Sequence, residues 1–177
     1  MSASLRWREM SRRTVFEKHG RGIDQVVFEM PDGRTEEFYI KSGRATAAVV
    51  ALTAEHRVIV ARQFRPGPQE FLYELPGGFV GPGEDPRHAV ERELLEETGY
   101  RGDVSFVARC HVDAYSSVAR HCFVATNCVK IAEPALEDNE YVEVGLHSVT
   151  SFRQLLRNGR MSDSEAGYLG LDHLGLL

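Results

Sequence analysis

Cysteine is scarce in this chain. Three residues, Cys110, Cys122 and Cys128, stand among 177, with no Cys-x-x-Cys pair. That excludes a disulfide framework and a cysteine zinc site, and it fits a reducing, cytoplasmic setting with three structural thiols. Long apolar runs are missing too. The longest, Ala45 to Ala54, is broken by Thr46 and Thr53 and falls far short of the ~18 residues of a membrane helix, so no membrane partner is expected. The opening MSASLRWREMSRR has no apolar middle of a secretory signal. Positive charge is in deficit: 21 basic against 26 acidic residues give a net −5. Phosphate backbones are gripped by clustered Lys and Arg, so nucleic acid is not an expected partner. Internal repeats and low-complexity linkers are also absent. What remains is ordinary globular material, 42% hydrophobic and 27% charged. A chain of this length can bury roughly 70% of its unfolded surface and needs no staple.

The punctuation divides the chain into strands and helices. Ile23–Met30 and Thr35–Lys41 flank Pro31-Asp32-Gly33 and read as a β-hairpin. Residues 45–53 and 57–64 form a second hairpin around Ala54-Glu55-His56, and 71–75 is a further short strand. The stretch 76–85, with Gly77, Gly78, Gly81 and Gly83, reads as a loop. A helix follows over 86–98: Asp85 caps it, Pro86 occupies its first position and Gly99 stops it. Strands return at 104–110, 120–127 and 141–147. Residues 128–140 form a loop ending in Glu137-Asp138-Asn139-Glu140. Helices are expected at 150–158, capped by Thr150 or Ser151, and from Asp163 onward. Strands and helices without strict βαβ alternation point to an α+β or α/β/α sandwich. An N-terminal β-rich extension over 1–44 and a main domain over 45–177 are expected.

The helix carries an electrostatic conflict. Glu93, Glu96 and Glu97 are three and four residues apart and fall within an arc of about 100°. Like charges at this spacing cost about 0.2–0.5 kcal/mol per pair, and anions in a helix's last turn oppose its dipole. Arg92 and Arg101 soften this, but neither separates Glu93 from Glu97. A hard dication would, since Mg²⁺ takes carboxylate oxygens together with substrate phosphates. The glycines upstream let a backbone approach another group closely. They match neither a P-loop nor a dinucleotide fingerprint. A solvated acidic face and a plain turn are the bland alternatives.

Residues 78–100, GFVGPGEDPRHAVERELLEETGY, resemble the signature of the Nudix hydrolases. Gly78, Glu84, Arg92, Glu93, Leu94, Glu96, Glu97 and Gly99 stand at the required spacing, with Tyr100 as the closing bulky residue. Ala61-Arg62-Gln63-Phe64-Arg65 followed by Glu74-Leu75-Pro76-Gly77-Gly78 resembles the ADP-ribose and nucleotide-sugar branch, and the likeness spans about residues 12–172. The resemblance implies an α/β/α sandwich with a mixed sheet, often a homodimer. It implies hydrolysis of a nucleoside diphosphate linked to another moiety, giving a monophosphate and a sugar phosphate. Mg²⁺, with Mn²⁺ as the alternative, is the implied cofactor. Glu93, Glu97, Glu96, Glu140 and the Gly77 carbonyl are the implied metal ligands, with Glu84 and Arg92 orienting them. The catalytic set comprises Glu93, Glu97, Arg92, Glu140 and Asp138, with Asp138 or Glu137 as the base.

Substrate contacts are expected from Arg62, Arg65, Glu74 and Tyr115. Arginine's planar fork suits phosphate, although Glu74 could instead be a structural partner. Phe28 and Tyr39 could stack on a base, and His111 and His121 are lesser candidates. Many ADP-ribose hydrolases resembling this chain carry a proline about sixteen residues beyond the last signature glycine. Tyr115 stands there, a residue associated more with dinucleoside polyphosphate hydrolases. That activity is the runner-up. A silent nucleotide-binding regulator and an RNA-processing enzyme are the remaining alternatives. The intact carboxylates argue against the first and the acidic balance against the second.

Overall fold

The computed structural model describes residues 5–136 and 140–177. Two compact units emerge, Met1–Ala45 with His111–Ala119, and Thr46–Cys110 with Arg120–Leu177. In the first, β1 (Arg8–Lys18), β2 (Arg21–Glu29) and β3 (Thr35–Gly43) form an antiparallel sheet in that order. The β2–β3 turn closes as its letters require. Gly33 takes φ +83°, and the Asp32 carboxylate accepts from the Arg34 amide at 3.0 Å. The expected hairpin is therefore present, but it has a third strand. β1 has no apolar alternation to announce it, and none of its eleven residues is buried. Segment 111–119 docks on β3: Lys41 donates its amide to the Tyr115 carbonyl and accepts from the Ser117 amide, at 2.8 and 2.9 Å.

The second unit is built on a seven-stranded mixed sheet. Its strands are β4 (Thr46–Thr53), β5 (Arg57–Arg65), β6 (Glu70–Glu74), β7 (Gly77–Phe79), β8 (Tyr100–His111), β9 (Ala119–Lys130) and β10 (Glu143–Ser148). The order is β10-β5-β4-β9-β8, with β6 on β5 and β7 on β4. β4 and β9 run parallel, whereas the registered pairs of β4 with β5 and β7 are antiparallel. β4, TAAVVALT, is covered on both faces and so reads as an apolar run without alternation. Helices α1 (Pro86–Thr98), α2 (Val149–Arg157) and α3 (Ser164–His173) cover the sheet. Ala48, Val50 and Leu52 share a core with Phe152, Leu156 and Leu171 of α2 and α3. Alternation turns Ala47, Val49 and Ala51 to the opposite face, and α1 packs on β4 and β7 with Ala89, Val90 and Leu94 buried. The result is the α/β/α sandwich with a mixed sheet that the sequence led us to expect. No helix among the described residues is long and apolar enough to cross a membrane.

Local departures have clear causes. Part of the expected 76–85 loop is strand β7, because Gly77 and Gly78 have no side chain to keep them off β4. A Cβ on Gly77 would stand 2.2 Å from the Ala47 carbonyl oxygen. α1 has the expected limits, with the Asp85 carboxylate accepting from the Arg87 amide and Gly99 in the left-handed region at φ +76°. α2 is capped by Ser148, two residues before Thr150 and three before Ser151, the caps expected.

Gly99 is doubly constrained, since a Cβ there would also lie 2.0 Å from the Ala132 carbonyl oxygen. Gly83 has φ +73° and open space around it. Gly83→Ala should cost about 1–2 kcal/mol, the left-handed penalty alone. Gly99→Ala should cost clearly more in the same urea-unfolding measurement, and equal costs would contradict the packing described for the end of α1.

Candidate active site

The β7–α1 connection brings the signature residues together. Arg92, in the middle of α1, is the hub. Its Nη1 donates to Glu93 Oε1 at 2.9 Å and Glu96 Oε2 at 3.0 Å, and its Nε reaches Glu84 Oε1 at 3.3 Å. The Phe79 carbonyl accepts from Nη2 at 3.4 Å. Glu84 also closes its own turn by accepting the Gly81 amide at 2.7 Å. Arg92 and that amide hold the Glu84 carboxyl below its ordinary range. Glu97 behaves differently. It is 6% exposed and accepts the Gly77 amide at 2.9 Å. A Cβ on Gly78 would stand 2.4 Å from Glu93 Oε1, so the missing side chain is what lets this carboxylate lie against the strand.

The three carboxylates of α1 are thus unequal. Glu96 is 47% exposed and already paired. Burial raises the Glu93 pKa against the pull of Arg92, with Glu96 and Glu140 adding to the rise. Burial pushes Glu97 up to about 8, opposed by the Gly77 amide and reinforced by Glu93, Glu140 and Glu74. Glu140 is therefore close enough to load both buried carboxylates with charge. Asp138 and Glu137 lie outside the described residues.

The donors are hard oxygens in a part-buried, anionic surrounding, the chemistry that suits Mg²⁺ or Mn²⁺. Among the described residues no three His, Cys, Asp or Glu side chains converge as a finished metal cage. The reason is visible in the contacts: Glu93 and Glu96 are turned to Arg92, and Glu97 to Gly77. A dication would take over the neutralising part that the guanidinium plays here.

Of the expected substrate residues, Arg62, Arg65 and Glu74 lie in the second unit and Tyr115 in the first. Arg65 donates through Nε to Glu74 Oε1 at 2.7 Å and through Nη2 to Oε2. Glu74 is buried and also accepts from Gln63 and Ser162, both at 3.0 Å. Its oxygens are committed within the protein, which suits an anchor better than a substrate contact. Arg62 bonds Glu143 at 2.7 Å and lies over the Phe71 ring at 4.6 Å, beside a cleft of about 210 Å³ lined by Tyr73, Glu143 and His147. Tyr115 belongs to the first unit, where its exposed ring stacks near Phe38 at 6.2 Å. Trp7, Phe28 and Phe38 complete that aromatic group. Phe28 thus partners Phe38. Tyr39 stands opposite Gln25 on the other face. His111 is exposed. His121 is partly buried near Arg109 and Asp85, and its pKa is lowered chiefly by burial.

One cluster escaped the sequence reading. Asp163 bonds Arg120 Nη1 at 3.2 Å and accepts from the Leu75 amide at 3.3 Å and the Ser162 hydroxyl at 3.2 Å. Leu75, Arg120 and Asp163 are far apart in sequence, where Asp163 reads only as the start of a helix; in the structure it precedes α3 but makes no side-chain cap bond.

A Nudix domain model matches residues 43–166. The chain belongs to the Nudix family. With this signature complete, it is a pyrophosphohydrolase of that family. An ADP-ribose pyrophosphatase of Bacillus subtilis (strain 168) is 28% identical over 170 residues, covering 93% of this chain and 91% of the relative. A methanol dehydrogenase activator of Bacillus methanolicus is 30% identical over 149 residues, covering 81% and 78%. An ADP-sugar pyrophosphatase of Mus musculus is 36% identical over 140 residues, covering 69% and 64%. The crystal structure of an ADP compounds hydrolase superposes with a TM-score of 0.81 at 21% identity, covering 99% of this chain and all of that one, a likeness of fold.

Glu97 provides a test of the charge conflict. Its folded pKa is raised above the ordinary carboxyl value, so it contributes stability at low pH. That contribution is lost as pH rises from about 4.5 through about 8. In metal-free protein Glu97→Gln should keep an acceptor for the Gly77 amide and abolish this loss. Its melting temperature at pH 9 should exceed that of the parent by several degrees, converging with it near pH 4. A variant less stable than the parent at pH 9 would refute the account.

Proposed function

We propose that this pyrophosphohydrolase cleaves the diphosphate of ADP-ribose or a nucleotide sugar, using Glu93, Glu96, Glu97, Glu140 and the Gly77 carbonyl to hold Mg²⁺. Burial of Glu97 among other carboxylates carries the metal reading. The ADP-ribose and ADP-sugar pyrophosphatases among the relatives support the substrate class. Bound Mg²⁺ would offset the phosphate charge and ease deprotonation of a water. Water oxygen bonds to one phosphorus as the bridging P–O bond breaks. The water proton passes to a base, and the products are a nucleoside monophosphate and a sugar phosphate. Asp138 or Glu137 is the base expected from the sequence, with Glu140 as the added ligand. Arg92 keeps Glu84, Glu93 and Glu96 in place.

In the first unit, exposed Trp7 and Tyr115, grouped with half-buried Phe28 and Phe38, offer faces on which a nucleobase can stack. β1, an edge strand of its sheet among the described residues, also presents exposed Met10, Val15 and Phe16. A second copy of the chain is the partner we assign to it, testable by sedimentation equilibrium.

A panel of ADP-ribose, nucleotide sugars and dinucleoside polyphosphates, with released monophosphate quantified, tests the substrate class. Preferred cleavage of dinucleoside polyphosphates would shift the reading to that activity. Glu93→Gln should lower kcat at least 100-fold with the fold retained. Glu140→Gln should lower kcat about 10²-fold or more with KM within threefold. A normal kcat would remove Glu140 from the chemistry.

A further inference from the structure

The turn Leu75-Pro76-Gly77 delivers the amide that meets Glu97, and three bonds fix it. The Val49 amide donates to the Pro76 carbonyl at 3.0 Å, the Gly77 amide donates to Glu97, and the Leu75 amide donates to Asp163. The first two lie within the sheet and the signature. The third comes from a segment 88 residues away. That segment runs alongside β6: the Tyr73 amide donates to the Arg160 carbonyl at 3.0 Å, and the Ser162 amide donates to the Tyr73 carbonyl at 3.2 Å. The Ser162 hydroxyl then bridges Glu74 Oε1 and Asp163 Oδ2. Arg120 supplies the opposing charge, and both partners of that pair are largely shielded from solvent. Asp163 gives up its helix-capping bond to α3 in order to reach Leu75. A residue whose only task was to start α3 would not be turned away from it.

We propose that Asp163 is a positioning residue: through Leu75, and with Glu74 through Ser162, it sets the Gly77 amide against Glu97. The inference rests on the reading of Glu97 as a metal ligand. Groups that orient ligands from behind typically change metal affinity by 10–100-fold when removed. The lever here is backbone placement. Losing the Leu75 bond frees the turn, and the Glu97 carboxylate loses its fixed partner. Arg120 keeps Glu165 as a partner, so truncating Asp163 does not strand the guanidinium.

Two measurements on the full-length protein test this. Amide hydrogen exchange by NMR reads the placement, and Mn²⁺ titration by electron paramagnetic resonance reads its consequence. In Asp163→Ala the Gly77 amide should exchange at least tenfold faster, with Leu94 in the α1 core unchanged. Mn²⁺ should bind about tenfold more weakly. Asp163→Asn keeps an oxygen for the Leu75 amide and should recover most of both. Ser162→Ala serves as a second, gentler variant should Asp163→Ala fail to fold, and it should raise Gly77 exchange to a lesser degree. Unchanged Gly77 exchange in the folded variants overturns the proposal. Faster exchange with unaltered Mn²⁺ affinity also overturns it, since Asp163 is then only a structural anchor. If the parent protein and Glu97→Gln both fail to bind Mn²⁺, the metal reading falls, while Gly77 exchange still decides the placement.

Discussion

A buried carboxylate facing a backbone amide is the constraint around which this molecule is arranged. Among the described residues Glu97 accepts from the Gly77 amide and feels the charge of Glu93, Glu140 and Glu74. Water would have solvated that charge better. The chain maintains the arrangement through groups that do little else. Gly77 has no Cβ because the Ala47 carbonyl occupies the space, and Gly78 has none because Glu93 does. Arg92 spends its donors on Glu84, Glu93, Glu96 and the Phe79 carbonyl. Local preference and global fold disagree at this one edge and agree nearly everywhere else, the pattern expected where stability is surrendered for chemistry.

The same electrostatics sorts the arginines. Arg65 pairs with Glu74, which is 5% exposed and bonded to two further residues. Withdrawing Arg65 to meet a phosphate would leave a buried carboxylate short of its counterion, at a cost of several kcal/mol. Arg62 pairs with Glu143, whose side chain is 73% exposed. Exposed pairs contribute only about 0–1 kcal/mol, so Arg62 can change partners at little cost. Its alkyl and guanidinium packing over Phe71 keeps it oriented meanwhile. Of the two arginines that the motif offers to a substrate, Arg62 is the available one.

What the sequence made legible was local. The limits of α1 follow from Asp85, Pro86 and Gly99, whose cap bond, fixed φ and left-handed turn need no distant partner. Carboxylate spacing on that helix is likewise a matter of arithmetic. Features that depend on distant pairing were not legible. β1 carries no alternation because it buries nothing. β7 looked like a loop because glycine runs usually are loops, and only the proximity of β4 makes it a strand. Segment 111–119 joins β8 to β9 in sequence, yet it hydrogen-bonds to Lys41 of β3. Glu74 sat in a familiar motif beside two arginines, and the motif could not say that Ser162 would close over it.

Arg92 poses the remaining physical question, because one guanidinium faces Glu84, Glu93, Glu96 and, through them, Glu97 and Glu140. A single positive charge cannot neutralise that set, and the excess falls on the most buried member. Protonation relieves Glu97 at the expense of its ability to bind a cation. A bound dication would relieve it without that loss, and would free the Arg92 bonds to Glu93 and Glu96 for exchange. On the proposed metal reading, proton and metal would compete for one oxygen pair, since burial pushes the Glu97 carboxyl up to about 8. Any shift of the Gly77 amide moves that balance, because the amide stabilises the ionised form more than the protonated one. The backbone turn is thus part of the electrostatics of the site.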